Sequence, residues 1–110
     1  MFGRIIGETI RQMIQHIQEE KIHEANLGFP HTDVLTTKEE RRTRFKNFHK
    51  ALKLSEWGNS PVTILVEADE ELLRIKSSIV SVDDNSVKLT SGATIPINAI
   101  HAVLFTIFMG

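Results

Sequence analysis

Pro61-Val62-Thr63-Ile64-Leu65-Val66-Glu67 and Ile95-Pro96-Ile97-Asn98-Ala99-Ile100-His101-Ala102-Val103-Leu104-Phe105 bound the part of the chain whose reading decides the fold. In the first stretch Val62, Ile64 and Val66 alternate with Thr63, Leu65 and Glu67. That period of two marks a strand with one buried face. Asp69-Glu70 reads as a turn, and Leu72 to Val82 as the longest strand. Its apolar phase switches: Leu73, Ile75 and Ile79 share one face, then Val80 and Val82 the other. Such a switch predicts a bulge or a sharp bend. Asp83-Asp84-Asn85-Ser86 is a polar turn, Val87 to Thr90 a strand, and Ser91-Gly92 a tight hairpin turn. Thr94 to Ile97 pairs back, with Pro96 suited to an edge or a strand end. Asn98-Ala99 makes a brief kink before a last strand from Ile100 to Phe108.

Upstream the period changes. Ile6, Ile10, Met13, Ile14 and Ile17 fall on one stripe, with Arg11, Gln12, Gln15 and Gln18 on the other side. This predicts an amphipathic helix over residues 4–24. Gly28 and Pro30 interrupt it and make a loop. Thr37-Lys38-Glu39-Glu40 is a capping box that starts a second helix. That helix should run to about Leu54 and turn Phe45, Phe48, Ala51 and Leu52 inward. Glu56 to Pro61 is the hinge into the β region.

The expected fold class is therefore α+β: two N-terminal helices followed by a five-stranded Sm/SH3-like antiparallel β-barrel. A helical region, 1–57, would precede a small barrel, 58–110. Val62-Thr63-Ile64, Ile79-Val80-Ser81-Val82-Asp83, Val87-Lys88-Leu89 with Gly92, and Ile95-Pro96-Ile97-Asn98-Ala99-Ile100 carry a resemblance to the YolD-like family. These are small bacterial proteins with a helical start and an Sm-like barrel. The stretch covers about residues 61–105 and is hydrophobic pattern more than chemistry. The Arg-Gly and Lys-Trp segment usual near the family's start is missing, and Ser77-Ser78 stand where it often has Gly. The resemblance implies a role tied to DNA damage and error-prone polymerase operons. The same stretch looks like Sm and Hfq-type RNA-binding chains, in which a His follows a similar kink, as His101 does here.

The formal net charge of −1 over 110 residues gives no global field toward nucleic acid or membrane. The halves differ: residues 1–57 hold ten Lys/Arg against eight Asp/Glu, and 58–110 hold three against six. An anion-binding surface is thus expected on the helical half. The chain has no cysteine, which removes thiolate chemistry and disulfides together and is compatible with a reducing cytosol. Met1 to Glu8 is broken by charge and is not a secretory signal. No apolar run approaches the ~20 residues of a membrane span. A cytoplasmic protein is expected, with no membrane partner.

The second helix is dense in Lys and Arg, so Arg41, Arg42, Arg44, Lys46 and Lys50, with His101 on the last strand, are the candidate contacts for nucleic acid. The last strand is apolar on both faces, Ile100, Ala102 and Leu104 on one and Val103, Phe105 and Ile107 on the other. Half-wet strands are the rule in a small barrel, so Val103, Phe105 and Ile107 are candidates for a homo-oligomer interface. His16, Glu20 and His23 share one side of the first helix, but a four-coordinate metal site needs more ligands than this trio. Asp69-Glu70-Glu71 is a carboxylate cluster that reads as a solvated turn tip, whereas acid–base work needs a desolvated cleft. No catalytic set converges and no cofactor motif appears. The expectation is a non-enzymatic binding or regulatory protein working through protein contacts. The alternative is an Sm-like nucleic-acid-binding module that uses the basic helix.

Overall fold

The computed structural model describes residues 14–17 (as backbone), 27–58 and 61–105. In chain order the elements are β1 (Ile14–Ile17), α1 (Lys38–Trp57), β2 (Val62–Ala68), β3 (Glu71–Ser77), β4 (Ile79–Val82), β5 (Ser86–Leu89), β6 (Thr94–Pro96), a 3-10 turn (Ile97–Ala99) and β7 (Ile100–Leu104). The strands form two sheets, ordered β1-β3-β2-β7 and β4-β5-β6. The first is an antiparallel ladder β3-β2-β7 with β1 added in parallel on β3's outer edge. The second is antiparallel throughout.

Two fold expectations are corrected. Among the described residues there is one α-helix, not two, and the sheets do not close into a five-stranded barrel. Closure would need one ladder carried round the whole circuit. Instead the long strand expected over 72–82 is divided: β3 ends at Ser77, Ser78 lies outside both strands, and β4 joins the other sheet. β6 has three residues and ends on Pro96, which has no N–H to extend a ladder. The predicted first helix is overturned at Ile14–Ile17, which pair with Leu72–Ile75 as β1. β-branched Ile14 and Ile17 suit a strand better than a helix, and β3's outer edge offers a row of backbone groups ready to pair with another strand. The rest of residues 4–24 lies outside the described residues.

Local signals survive inside this altered architecture. The Thr37 side chain accepts from the Glu40 amide (3.1 Å) and the Glu40 carboxylate accepts from the Thr37 amide (3.3 Å). This closed capping box satisfies two otherwise orphan donors of α1. Asp83 Oδ1 accepts from the amides of Asn85 (2.8 Å) and Ser86 (2.7 Å), which builds the predicted polar turn. The following hairpin is one residue longer than a tight turn. Leu89 and Ala93 bracket three residues, with Gly92 at φ 96, a conformation that glycine reaches without strain.

One core unites these elements. Phe48 and Ala51 of α1 lie in the same buried cluster as Ile64, Val66, Ile75, Ile79, Val87, Leu89, Ile95 and Ile100. β2 reads buried, half-buried, buried along its length, as its alternation predicts. The loop before α1 is tied down at two points. Gly28 and Asp69 exchange hydrogen bonds: the Gly28 amide donates to Asp69 Oδ1 (2.9 Å), and the Asp69 amide donates to the Gly28 carbonyl (2.8 Å). The Val34 amide donates to the Asn98 carbonyl (2.9 Å), and Asn98 Nδ2 to the His31 carbonyl (3.1 Å). No helix among the described residues is long and apolar enough to cross a membrane.

Candidate nucleic-acid interface on the helix

α1 sorts its basic residues by angle. At 100° per residue, Arg44, Phe48 and Ala51 fall together, and all three are buried. Lys38, Arg42, Lys46, His49 and Lys53 fall within roughly 80° on the opposite side, and all five are exposed. The stripe from Lys38 to Lys53 is about 22 Å long at the helical rise. Phe45 and Trp57 flank it, one on each side. Phe45 is 55% exposed and Trp57 82% exposed. The Phe45 and His49 rings meet edge to face, with centroids 4.5 Å apart at 74°. Glu39 and Glu56 stand near the two ends of the stripe, so the positive charge concentrates in its middle.

The candidate residues therefore separate. Arg42 and Lys46 stand on the outer stripe. Lys50 is exposed beside it, with Nζ 4.6 Å from the Phe105 ring centroid. Arg41 leans back toward the loop: its Nε donates to the Leu35 carbonyl (3.1 Å) and lies 3.5 Å from Asp33 Oδ2. Arg44 leaves the phosphate face altogether. Its two terminal nitrogens hold both Asp33 oxygens (2.8 and 2.6 Å), one of them also donates to the Ile100 carbonyl (3.0 Å), and its side chain is only 5% exposed. Burial pushes the Asp33 carboxyl up, but the Arg44 hydrogen bond, the Leu35 amide and the charges of Arg44 and Arg41 outweigh it and hold Asp33 below the usual range.

His101 sits in β7 beside Glu67 of β2, with Nε2 3.0 Å from Oε1. It borders a groove of about 340 Å³ between α1 and β7, whose lining includes Glu39, Glu40, Asn47 and Arg44. The charged groups there are largely engaged already: Glu40 in the capping box, Arg44 with Asp33, and His101 with Glu67. Val103, expected on an outer face, is buried in the core, and the exposed apolar residue of this strand is Leu104. The reason is a register shift between Leu65 and Val66 on β2, which lets Ile100 and Val103 both point inward. Phe105 is half-buried against the core under Lys50, and Ile107 lies outside the described residues. Glu20 and His23 of the weighed metal trio lie outside them too.

Phe45 was expected in the core and instead faces water. Its angle, next to Lys38 at the edge of the basic stripe and about 60° from Phe48, was the available signal. The Asp33–Arg44 pair was also missed. Arg44, Phe48 and Ala51 at i, i+4 and i+7 mark Arg44 as a core-facing arginine that needs a buried acid. Compared with known proteins, the chain matches no family model, no curated protein and no solved structure.

Proposed function

We propose that this is a non-enzymatic binding protein whose working surface is the outer face of α1 and whose partner is a nucleic acid. One observation carries the reading: Arg42, Lys46 and Lys53 stand together on a stripe that faces away from the core, while the arginine with a structural duty, Arg44, has been sorted to the opposite side. Solvated cations at helical spacing suit a line of phosphates, and their attraction is released with bound counterions. The lead expectation from sequence, action through protein contacts, rests on the YolD-like resemblance. The DNA-repair setting that this resemblance implies is compatible with a nucleic-acid partner.

The test is binding of labelled oligonucleotides to the full chain over a range of salt. Affinity should fall linearly in log–log form, with a slope of about −0.7 to −0.9 per phosphate contacted. Arg42→Glu/Lys46→Glu should flatten that slope by about two contacts, while Lys76→Glu/Lys88→Glu on the sheets should leave it unchanged. No binding at low salt, or an equal loss from both pairs, removes the proposal.

A further inference from the structure

We infer that the outer face of α1 takes single-stranded rather than duplex nucleic acid, an inference that rests on the nucleic-acid reading above. The cations explain attraction to any polyanion. They do not explain why two large rings stand in water beside them. Phe45 is 55% exposed and Trp57 82% exposed, and both flank the stripe of Lys38, Arg42, Lys46 and Lys53. Exposed rings cost solvation, and among the described residues the ring that Phe45 meets is the edge of His49, itself exposed. Phe45 and Trp57 are twelve positions apart, about 18 Å along the helix. The basic side chains in between can follow a strand's phosphates while the rings receive bases at the flanks.

A duplex keeps its bases stacked inside and offers such rings backbone and base edges but no open base face. A single strand can splay its bases, and every base has a face that stacks on an aromatic ring whatever the sequence. The stripe itself has no Asn or Gln, the side chains that read adenine edges through paired hydrogen bonds. Adenine-edge readout is therefore not built into the stripe, while its flanking rings suit stacking on any base.

Trp57 is the one tryptophan of the chain, so the protein carries its own probe at the proposed contact. The intact chain is titrated with an oligo-dT strand, a duplex of equal length and inorganic polyphosphate. The strand should quench Trp57 emission and bind about tenfold tighter than the duplex, with roughly another tenfold lost in Phe45→Ala. Polyphosphate should bind in a salt-sensitive way without quenching. Trp57→Leu, followed by anisotropy of a labelled strand, should weaken the strand and spare the duplex. Far-UV ellipticity confirms that each variant keeps α1. Equal affinity for strand and duplex with unchanged Trp57 emission overturns this inference and leaves the basic-face reading standing. Absence of salt-sensitive binding to all three overturns both.

Discussion

Arg44 shows how one side chain decides the use of a whole helix. Its guanidinium bridges the loop before α1, through Asp33, and the start of β7, through the Ile100 carbonyl. A buried charge of this kind is tolerable only while its partner stays ionised. Asp33→Asn should therefore cost about 2–3 kcal/mol in urea unfolding near neutral pH, somewhat below the 3–5 kcal/mol for a fully buried pair because Asp33 keeps partial access to water. The pH dependence follows from the depressed Asp33 carboxyl. A carboxyl held low in the fold releases its proton more readily there than in the unfolded chain. Its contribution is present in full above the unfolded value, near 3.8, and is lost as pH falls through the lower folded value. Urea midpoints measured from neutral to strongly acidic pH should fall more steeply for the native chain than for Asp33→Asn. Parallel curves would mean that the pair contributes nothing.

The β2–β3 turn makes the case at the scale of elements. Asp69 and Glu70 both have positive φ, 52° and 64°, without being glycine. A two-residue hairpin loop demands that conformation and favours Gly at its second position. The loop gains something from Asp69 in return, since its carboxylate and amide hold Gly28. Glu70→Gly should thus stabilise by about 0.5 kcal/mol, as relief of the left-handed strain exceeds the added freedom of the unfolded chain. Gly28→Ala should destabilise by about 1 kcal/mol, because a Cβ there would lie 2.6 Å from Asp69 Oδ1 and push the carboxylate off its hydrogen bond. Opposite shifts of the unfolding midpoint are the outcome to look for; a neutral Gly28→Ala would mean that the loop is not docked. Elements of this kind were legible from sequence where local chemistry specifies them: the Thr37 capping box, the Asp83 turn, the alternation of Val62, Ile64 and Val66. The sheet assembly was not. The phase switch within 72–82 announced a bend, and the register does shift between Ile79 and Ser81, but no residue announced that Ser78 would hand the chain to a second sheet or that the shift opposite Val66 would reverse the facing of Val103. Ile14 and Ile17 fit a helical stripe by spacing and a strand by their β-branching, and the pairing with β3's open edge decides for the strand. On the surface, the basic density of α1 was plain, but its division into an outer stripe and a buried Arg44 required the helix to be laid against its core.

For the molecule as a whole, the decisive fact is that α1 and both sheets share one buried cluster. Phe48 is 1% exposed and belongs to the buried cluster to which every strand from β2 to β7 contributes. Phe48→Ala should remove about 3–5 kcal/mol, and the loss should be felt everywhere at once. Loss of helical ellipticity and amide exchange at Val66 and Ile95, one in each sheet, should then report a single transition at one denaturant midpoint. Separate midpoints for the helix and either sheet would contradict a shared core. This arrangement also sets the timing of the chain's birth on the ribosome. Synthesis delivers α1 well before its partners: Ile100, whose carbonyl Arg44 holds, follows it by 56 residues. Until the strands that follow it are made, β4 above all, the Phe48 side of the nascent helix lacks its native cover, while its lysine-rich side is already in its final surroundings. The sticky face is thus the late one and the soluble face the early one, so the growing polypeptide leans on its own cations while the strands emerge.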